Sequence, residues 1–347
     1  MKNNKLIYLL LIIAFAWLII LSSIFNKDEQ GQSVVINEYE VNGISTDFTK
    51  IVDEAKSSIV SINSDGVISS GFVYKNKDDK TYILSTYHGI NDEHGITVYF
   101  DNGYSCQATI KGYDIFADIC VLEVSMPYDA KNVDIGDANI TRPGEYIICI
   151  GTPVSLDYKG SVELGMISNK LTTIQNSITF DSRNYNYYID QLQLSIKLVN
   201  GYSGSPIINM NNEVIGIVTM NKSDDLCFAL PINEAKIIAD NIIDEIDYTK
   251  LQLGIKGEYI NEMENYVKTN LNIPIDVFDG IYVRNVVNNS FAYSCGIRNN
   301  DIILSINKIA LQDYNSLLEI VYSNEKIFEF SVLRENEEII LKGSIDD

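Results

Sequence analysis

The sequence predicts a mainly β fold of many short strands, followed by a smaller α+β unit and preceded by one transmembrane helix. Short β-branched and aromatic runs recur from residue 59 to about residue 230, and turns rich in Gly, Asn and Asp separate them. Residues 251–345 form a further stretch of the size of a small domain. Residues 6–26 contain no charged side chain, and about 20 apolar residues are needed to span a bilayer as a helix.

The charges that flank residues 6–26 predict the orientation of the anchor. Lys2 and Lys5 precede the apolar run. The positive-inside rule therefore places residues 1–5 in the cytoplasm and the domains after residue 26 outside it, which predicts a single-pass protein of the cell membrane. A cleaved signal peptide is the alternative, but its apolar region would be shorter and no clear cleavage site follows. Residues 27–47 are predicted to be a polar linker.

The composition excludes some partners and cofactors. The 347 residues carry a formal net charge of -21, and an acidic surface repels phosphate backbones, so nucleic acid is not an expected partner. The five cysteines show no CxxC spacing, which indicates buried thiols and neither a disulfide framework nor a zinc site. No metal and no organic cofactor is therefore expected.

Several elements can be placed along the β-rich region, residues 48–247. Residues 48–56 have helical spacing, with Phe48, Ile51 and Ala55 on one face. The Tyr- and Asn-rich residues 176–190 are the least regular part and are predicted to be a long surface loop. The run from Ile232 to Ile246 predicts a helix that closes the region.

Three short segments, in the order His, Asp, Ser, predict the chemistry. They are TYHGI around His88, ADICVL around Asp118 and GYSGSP around Ser203. A serine hydroxyl needs a base within hydrogen-bond reach, and an aspartate can fix the tautomer of that base. The only other histidine is His94, in a segment that is typical of an exposed loop. The alternative for Asp118 is an ordinary turn aspartate, such as Asp114 nearby.

The turn around Ser203 also predicts how an oxyanion is stabilised. A tight turn directs successive backbone N–H groups into one small space, so the amides of Gly201 and Ser203 are predicted to form an oxyanion hole. Glycine at position 201 permits a backbone conformation that few other residues adopt.

These segments resemble the HtrA (Deg) family of membrane-anchored serine proteases. The resemblance covers residues 48–246 as protease domain and residues 251–345 as PDZ domain, where LGI at 253–255 precedes GIYVRNV at 280–286. It implies a chymotrypsin-like double β-barrel, with His88 and Asp118 in the first barrel and Ser203 in the second, followed by an α+β PDZ domain.

The resemblance also implies partners and specificity. It implies cleavage of unfolded or mislocalised proteins, a homotrimer, and a PDZ loop at Leu253, Gly254 and Ile255 that binds peptide C-termini. The substrate pocket would fall near Leu198, Thr219 and Leu226. No acidic residue clearly occupies the base of that pocket, so a small or medium apolar substrate residue is expected. The segment 176–190, including Arg183, is the predicted sensor of the PDZ domain.

The sequence departs from the family pattern at a few positions. Tyr202 stands where Asn or Asp usually precedes the serine, and its ring is expected at the mouth of the site, where it would alter substrate entry. Leu194 and Ser195 replace the usual Thr-Asp, while Asn300 and Lys308 replace glycines of the PDZ pattern. The alternative function is a catalytically silent scaffold or peptide-sensing protein, for which Tyr202 is the only support.

Overall fold

The computed structural model describes residues 40–41, 44–45, 48–90, 95–180, 183–223, 226–246 and 251–345. The chain divides into two compact parts, residues 1–47 and 48–347. In the first part, β1 (Glu40–Val41) pairs antiparallel with β2 (Ile44–Ser45). The predicted anchor, residues 6–26, and His94 lie outside the described residues. Among the helices of the described ranges, none is long and apolar enough to cross a membrane.

The second part begins with a helix and a closed six-stranded barrel. Helix α1 (Phe48–Ala55) buries Ile51 and Ala55, on the face that the sequence predicts. Antiparallel pairing closes the barrel in the order β3-β4-β5-β8-β7-β6. The strands are β3 (Ile59–Ser64), β4 (Val67–Lys77), β5 (Lys80–Thr86), β6 (Ile96–Phe100), β7 (Ser105–Asp114) and β8 (Ile119–Val124). Alternate residues of these strands, such as Ile62, Val98 and Leu122, fill the interior and are fully buried.

A second barrel follows, in the order β13-β10-β11-β12-β15-β14, and pairing of β13 with β14 closes it. Its strands are β10 (Tyr146–Gly151), β11 (Ser161–Phe180), β12 (Arg183–Leu194), β13 (Pro206–Ile208), β14 (Glu213–Ser223) and β15 (Leu226–Pro231), and the short β9 (Asp134–Ile135) lies parallel to β14. Helix α2 (Ile232–Ile243) then packs on β7, β8 and β14. It ends three residues earlier than the sequence predicts.

The prediction of a surface loop at residues 176–190 is wrong. Most of this segment belongs to β11 and β12, which form a long hairpin whose ladder runs from Ile174 opposite Ile189 to Phe180 opposite Arg183. Tyrosine and β-branched residues favour strands when they pack on a pleated surface. The two strands satisfy each other's backbone groups, so the asparagines between them do not interrupt the ladder.

Residues 251–345 form a small α+β unit. Its strands follow the order β16-β17-β18-β20-β21, and β19 lies beside β18. The elements are β16 (Ile255–Tyr259), α3 (Asn265–Asn270), β17 (Ile281–Val286), α4 (Phe291–Ser294), β18 (Ile302–Ile306), β19 (Ile309–Ala310), α5 (Tyr314–Val321), β20 (Ile327–Arg334) and β21 (Glu337–Ser344). This unit packs on the second barrel, and buried apolar residues of both belong to one continuous cluster.

A buried carboxylate joins the C-terminal unit to helix α2. Glu234 is 2% exposed and accepts hydrogen bonds from the hydroxyls of Tyr314, at 2.5 Å, and Tyr322, at 2.6 Å. Burial and then the charge of Glu234 raise the pKa of both tyrosines well above the ordinary value. Both hydroxyls therefore stay protonated and act as donors.

Candidate active site

The pairing of β5 with β8 brings His88 and Asp118 to the same end of the first barrel. Thr86 lies opposite Ile119 in this ladder, so the residues just after β5 and just before β8 meet. The Asp114 carboxylate accepts the N–H groups of Phe116 and Ala117, both at 2.9 Å, and so closes the turn before Asp118. Asp118 itself adopts a left-handed conformation with φ of 58°. This turn directs the Asp118 side chain back toward His88.

Three side chains form one hydrogen-bonded line. Asp118 Oδ2 lies 2.6 Å from His88 Nδ1, and His88 Nε2 lies 3.0 Å from Ser203 Oγ. The other carboxylate oxygen, Oδ1, accepts the backbone N–H of His88 at 2.9 Å. Asp118 raises the pKa of His88 above its ordinary value through the hydrogen bond to Nδ1 and through its charge, although desolvation acts in the opposite direction. The arrangement leaves Nε2 directed at the serine.

Glycines shape the turn that carries Ser203. Gly201 has a φ of 103°, and a Cβ there would lie 2.2 Å from the carbonyl oxygen of Thr152. Gly204 has a φ of 85°, and a Cβ there would lie 2.1 Å from the carbonyl oxygen of Ser70. Both positions therefore require glycine, for conformation and for space.

Ser70, which sequence reasoning did not single out, links β4 of the first barrel to this turn. Its N–H donates to the carbonyl of Ser203 at 2.9 Å, and its hydroxyl donates to the carbonyl of Gly201 at 2.7 Å. The same hydroxyl accepts the N–H of Thr152 at 2.8 Å. Ser70 is fully buried, so these bonds fix the position of the turn between the two barrels.

The Asn200–Gly201 peptide is oriented by its carbonyl group. The oxygen of Asn200 accepts the N–H of Val154 at 2.9 Å. In a trans peptide the N–H points away from the carbonyl, so the N–H of Gly201 is directed away from Val154. Within the described part of the chain, the backbone N–H groups of Gly201 and Ser203 donate to no backbone carbonyl. Both amides are thus open to an external acceptor.

Tyr202 is one of the residues that line the catalytic cleft, and its side chain is buried. It is 2% exposed and packs against Gly151, where a Cβ would lie 2.7 Å from Cδ1 of the ring. Burial, and then the nearby charge of Glu163, raise the pKa of its hydroxyl. The turn packs this side chain against β10, and the expectation that Tyr202 alters substrate entry stays a prediction.

A cleft of about 470 Å³ opens beside the three side chains. Leu198 and Thr219, two of the predicted pocket residues, lie in its wall together with Val218. Leu226 does not: it is 42% exposed, and its pairing with Ser223 keeps it near the turn between β14 and β15, away from the cleft. The pocket prediction was therefore wrong for Leu226.

The cleft is also lined by residues that the sequence did not indicate. Ile115 precedes Asp118, while Ile178 and Tyr187 come from the β11–β12 hairpin. Burial raises the pKa of the Tyr187 hydroxyl to about 12. The alternation of apolar residues along 174–189 was the available signal, but it indicates a strand and not which cavity the strand lines.

The predicted peptide loop lines a second cavity. Leu253, Gly254 and Ile255 lie there with helix α5, and Tyr188, Asp190 and Glu234 of the protease region lie across from them. The carbonyls of Leu253 and Gly254 accept the N–H groups of Ala292 and Val287. The cavity has a volume of about 90 Å³.

Comparison with known proteins matches both regions. The family model of the trypsin-like peptidase domain matches residues 69–217, and that of the PDZ domain matches residues 282–334. A serine protease HtrA-like of Staphylococcus haemolyticus (strain JCSC1435) is 26% identical over 291 residues, 82% of this chain and 45% of that protein. The chain belongs to the HtrA family. This confirms the resemblance that the three catalytic segments predict.

Further similar proteins support the same family assignment. The serine protease Do-like HtrB of Bacillus subtilis (strain 168) is 30% identical over 264 residues, 74% of this chain and 57% of that protein. The solved HtrA-type protease AlgW with tripeptide has a TM-score of 0.60 at 21% identity and covers 86% of this chain and 96% of its own. This likeness confirms the predicted double barrel followed by a PDZ domain. The chain spans about half the length of the curated relatives it matches, from 34% to 57% among them.

Proposed function

We propose that this HtrA-family chain is a serine endopeptidase that hydrolyses peptide bonds through an acyl-enzyme. The observation that carries the proposal is the line from Asp118 Oδ2 through His88 to Ser203 Oγ, with separations of 2.6 Å and 3.0 Å. Such a line lets the imidazole accept the serine proton while the carboxylate stabilises the imidazolium that forms. The names and the peptidase family of the relatives support the same reaction.

Acylation follows from these positions. Ser203 Oγ attacks the substrate carbonyl carbon as His88 Nε2 takes the hydroxyl proton, and the carbonyl oxygen becomes an oxyanion. The N–H groups of Gly201 and Ser203 are placed to donate to that oxyanion. The intermediate collapses when His88 gives its proton to the leaving amine, which breaks the C–N bond and leaves an ester on Ser203.

Deacylation repeats the steps with water as the nucleophile. His88 removes a proton from water as the water attacks the ester carbonyl, and then returns that proton to Ser203 Oγ. The second peptide product leaves as a carboxylic acid, and the resting hydroxyl is restored.

The substrates that we propose are unfolded or mislocalised proteins outside the cytoplasm, in envelope quality control or stress signalling. The apolar residues 6–26, with lysines before them, support a membrane anchor. Leu198, Val218 and Thr219 offer no charge to the cleft, which supports a small or medium apolar residue before the scissile bond.

The PDZ domain is proposed to bind peptide C-termini at Leu253, Gly254 and Ile255. Strand addition beside β16, with the terminal carboxylate held by the amides of this loop, is the mode of binding that the fold supports. AlgW, a neighbour in fold, was solved with a tripeptide. Because Tyr188 and Asp190 of β12 line the same cavity as this loop, we propose that peptide entry moves the PDZ domain away from β12.

A homotrimer is proposed as well, and an exposed apolar stripe on the second barrel supports it. Val162, Leu164 and Met166 alternate along one face of β11, and Tyr146 lies opposite Met166; each is at least 40% exposed. Contiguous exposed apolar side chains mark surfaces that bind another protein.

Digestion of casein by the purified full chain in mild detergent tests the catalytic proposal. We expect digestion by the wild-type chain and by Ser125→Ala, which removes an exposed serine of the first barrel, and none by Ser203→Ala. A fluorophosphonate probe is expected to label the wild-type chain but neither Ser203→Ala nor His88→Ala. Equal digestion by wild type and Ser203→Ala, or no labelling of the wild type with any C-terminal peptide added, would favour the scaffold function.

A further inference from the structure

The chain carries many more acidic than basic side chains. It has 47 Asp and Glu against 26 Lys and Arg, which gives the formal net charge of -21. Several of the described cations form ion pairs with neighbouring carboxylates. Lys75 and Lys236 both contact Asp240 of helix α2, and Lys77 contacts Asp244 just after that helix. Because these cations are neutralised where they stand, the excess carboxylates determine the electric field around the protein.

The catalytic cleft has negative charge and no positive charge from lysine or arginine. Among the described residues that line it, none is a lysine or an arginine, and Asp118 is the one carboxylate. Lys197 precedes Leu198 of the cleft in the sequence, but its side chain is exposed and does not line the cleft. The apolar side chains of Ile115 and Ile178 line it as well. A cleft with charge of one sign and apolar walls concentrates the field of the whole protein.

Two tyrosines that line the cleft lie close to further carboxylates. Burial is the main cause that raises the pKa of the Tyr202 hydroxyl, and the charge of Glu163 on β11 raises it further. Burial is also the main cause that raises the pKa of the Tyr187 hydroxyl, and the charges of Asp118 and Asp114 raise it further. Carboxylates therefore lie near different parts of the cleft lining, and the electric potential inside the cleft is negative.

We propose that this chain selects unfolded substrate segments with a net positive charge, which the negative potential of the catalytic cleft attracts to Ser203. The proposal rests on the proposed endopeptidase function and names the class of substrate on which that function acts. The selection acts on capture, because charge steering raises the local concentration and the association rate of an oppositely charged partner by about 10- to 10³-fold. Bond cleavage itself is not changed, since no acyl-transfer step uses the charge of distant substrate residues.

Ionic strength distinguishes this long-range attraction from a single charged pocket. The distance over which salt screens a charge is about 30 Å at 0.01 M ionic strength and about 3 Å at 1 M. Attraction across the whole cleft is therefore lost at high salt, whereas a partly buried ion pair in a pocket is screened much less. Long-range attraction also depends on the number of substrate cations and not on their order, because no single side chain binds them.

The assay is hydrolysis of internally quenched peptides by the full chain in a non-ionic detergent. The peptides share the residues around the scissile bond and carry several Lys, Gln or Glu residues well away from it, and a fourth peptide has its Lys residues permuted. At about 0.01 M ionic strength, kcat/KM is expected to be at least about 30-fold higher for the Lys peptide than for the Glu peptide, with equal kcat. At about 1 M the ratio is expected to fall below about 3. The permuted Lys peptide is expected to match the first.

Glu163→Lys tests whether the field is concentrated in the cleft. The substitution reverses a charge close to Tyr202, whereas Glu337→Lys makes the same change of net charge on the exposed start of β21, which lines neither cavity. At low salt, Glu163→Lys is expected to lower the Lys-over-Glu ratio of kcat/KM at least about fivefold, and Glu337→Lys less than about twofold. The Gln peptide separates charge from damage, because a misfolded variant loses activity on all peptides alike.

The outcomes separate this inference from the proposed function. If the wild type cleaves no peptide and Ser203 takes no fluorophosphonate probe, the endopeptidase function fails. If the wild type cleaves the peptides but shows no Lys-over-Glu preference, or one that salt or the order of the Lys residues decides differently from the expectation above, the charge selection is wrong and the endopeptidase stands. Equal effects of Glu163→Lys and Glu337→Lys also overturn the proposal, because the cleft then has no share in the attraction beyond the net charge.

Discussion

Ser70→Ala tests how the first barrel supports the nucleophile turn. The substitution removes a hydroxyl that donates to the carbonyl of Gly201 at 2.7 Å and accepts from the N–H of Thr152 at 2.8 Å. It leaves the backbone bond from Ser70 N–H to the carbonyl of Ser203 in place. Any effect therefore comes from the side-chain bonds, because the strand pairing is not changed.

The expected loss of unfolding free energy follows from the two backbone groups that lose their hydrogen-bond partner. Gly201 and Thr152 are buried, and an unsatisfied buried polar group costs about 1–3 kcal/mol, so the unfolding free energy is expected to fall by about 2–6 kcal/mol. Gly201 also carries one of the two proposed oxyanion donors, the N–H of the adjacent Asn200–Gly201 peptide. Because removing one such donor lowers kcat by about 10²–10³, a displaced donor is expected to lower kcat by about 10- to 100-fold with a smaller change in KM.

The assays are steady-state hydrolysis of a fluorogenic peptide and urea unfolding followed by circular dichroism. Ser69→Ala is the matched control: Ser69 is the neighbouring buried serine of β4, but among the described residues its hydroxyl makes one long bond, 3.3 Å to the carbonyl of Gly89. The reasoning is refuted if Ser70→Ala keeps the wild-type kcat, or if Ser69→Ala reduces kcat as much.

Further predictions concern pH, backbone conformation and the joint between the domains. Because Asp118 raises the pKa of His88, the imidazole reaches its base form only at higher pH, and kcat/KM is expected to rise with pH around a midpoint above the ordinary 6.5. Asp118→Asn is expected to lower both that midpoint and kcat. An unchanged midpoint would contradict the role of Asp118. Gly201→Ala, with its Cβ forced against the Thr152 carbonyl, is expected to abolish probe labelling of Ser203, whereas Gly66→Ala, at a positive φ in open space, is expected to keep it. Tyr322→Phe removes one hydrogen bond to the Glu234 carboxylate, worth about 1.5–3 kcal/mol, and so weakens the contact between the PDZ domain and helix α2. The substitution is expected to tighten binding of a C-terminal peptide to the PDZ domain, measured by fluorescence anisotropy. Weaker binding would contradict the proposal that this contact opposes peptide entry.

The sequence predicts the catalytic residues better than it predicts the residues that hold them in position. His88, Asp118 and Ser203 are recognisable because each stands in a local segment whose residues fit one role. Ser70 acts through bonds to a turn 131 residues away, and no local pattern contains such a contact. Leu226 was misplaced because the bulged pairing of β14 with β15 decides which residues reach the cleft, and register is a property of two strands together.

The β11–β12 hairpin also shows that a local sequence pattern is not enough to predict the structure. Its Tyr- and Asn-rich composition is typical of a loop, yet pairing with a partner strand makes it the longest ladder of the second barrel. Tertiary pairing outweighs local propensity here, because each strand supplies the hydrogen bonds that the other needs. A sequence taken one segment at a time does not contain that information.

Adjacent residues of strand β12 line two different cavities. The Tyr187 side chain lines the catalytic cleft, while Tyr188 lines the second cavity and its hydroxyl accepts a bond from Asn285 of the PDZ domain at 2.9 Å. Tyr187 and Tyr188 can consequently be substituted separately, so cleavage preference and domain contact can diverge independently during evolution. A one-residue insertion before position 187 would move each of these two side chains to the other face of the strand, which makes the length of this strand more constrained than its composition.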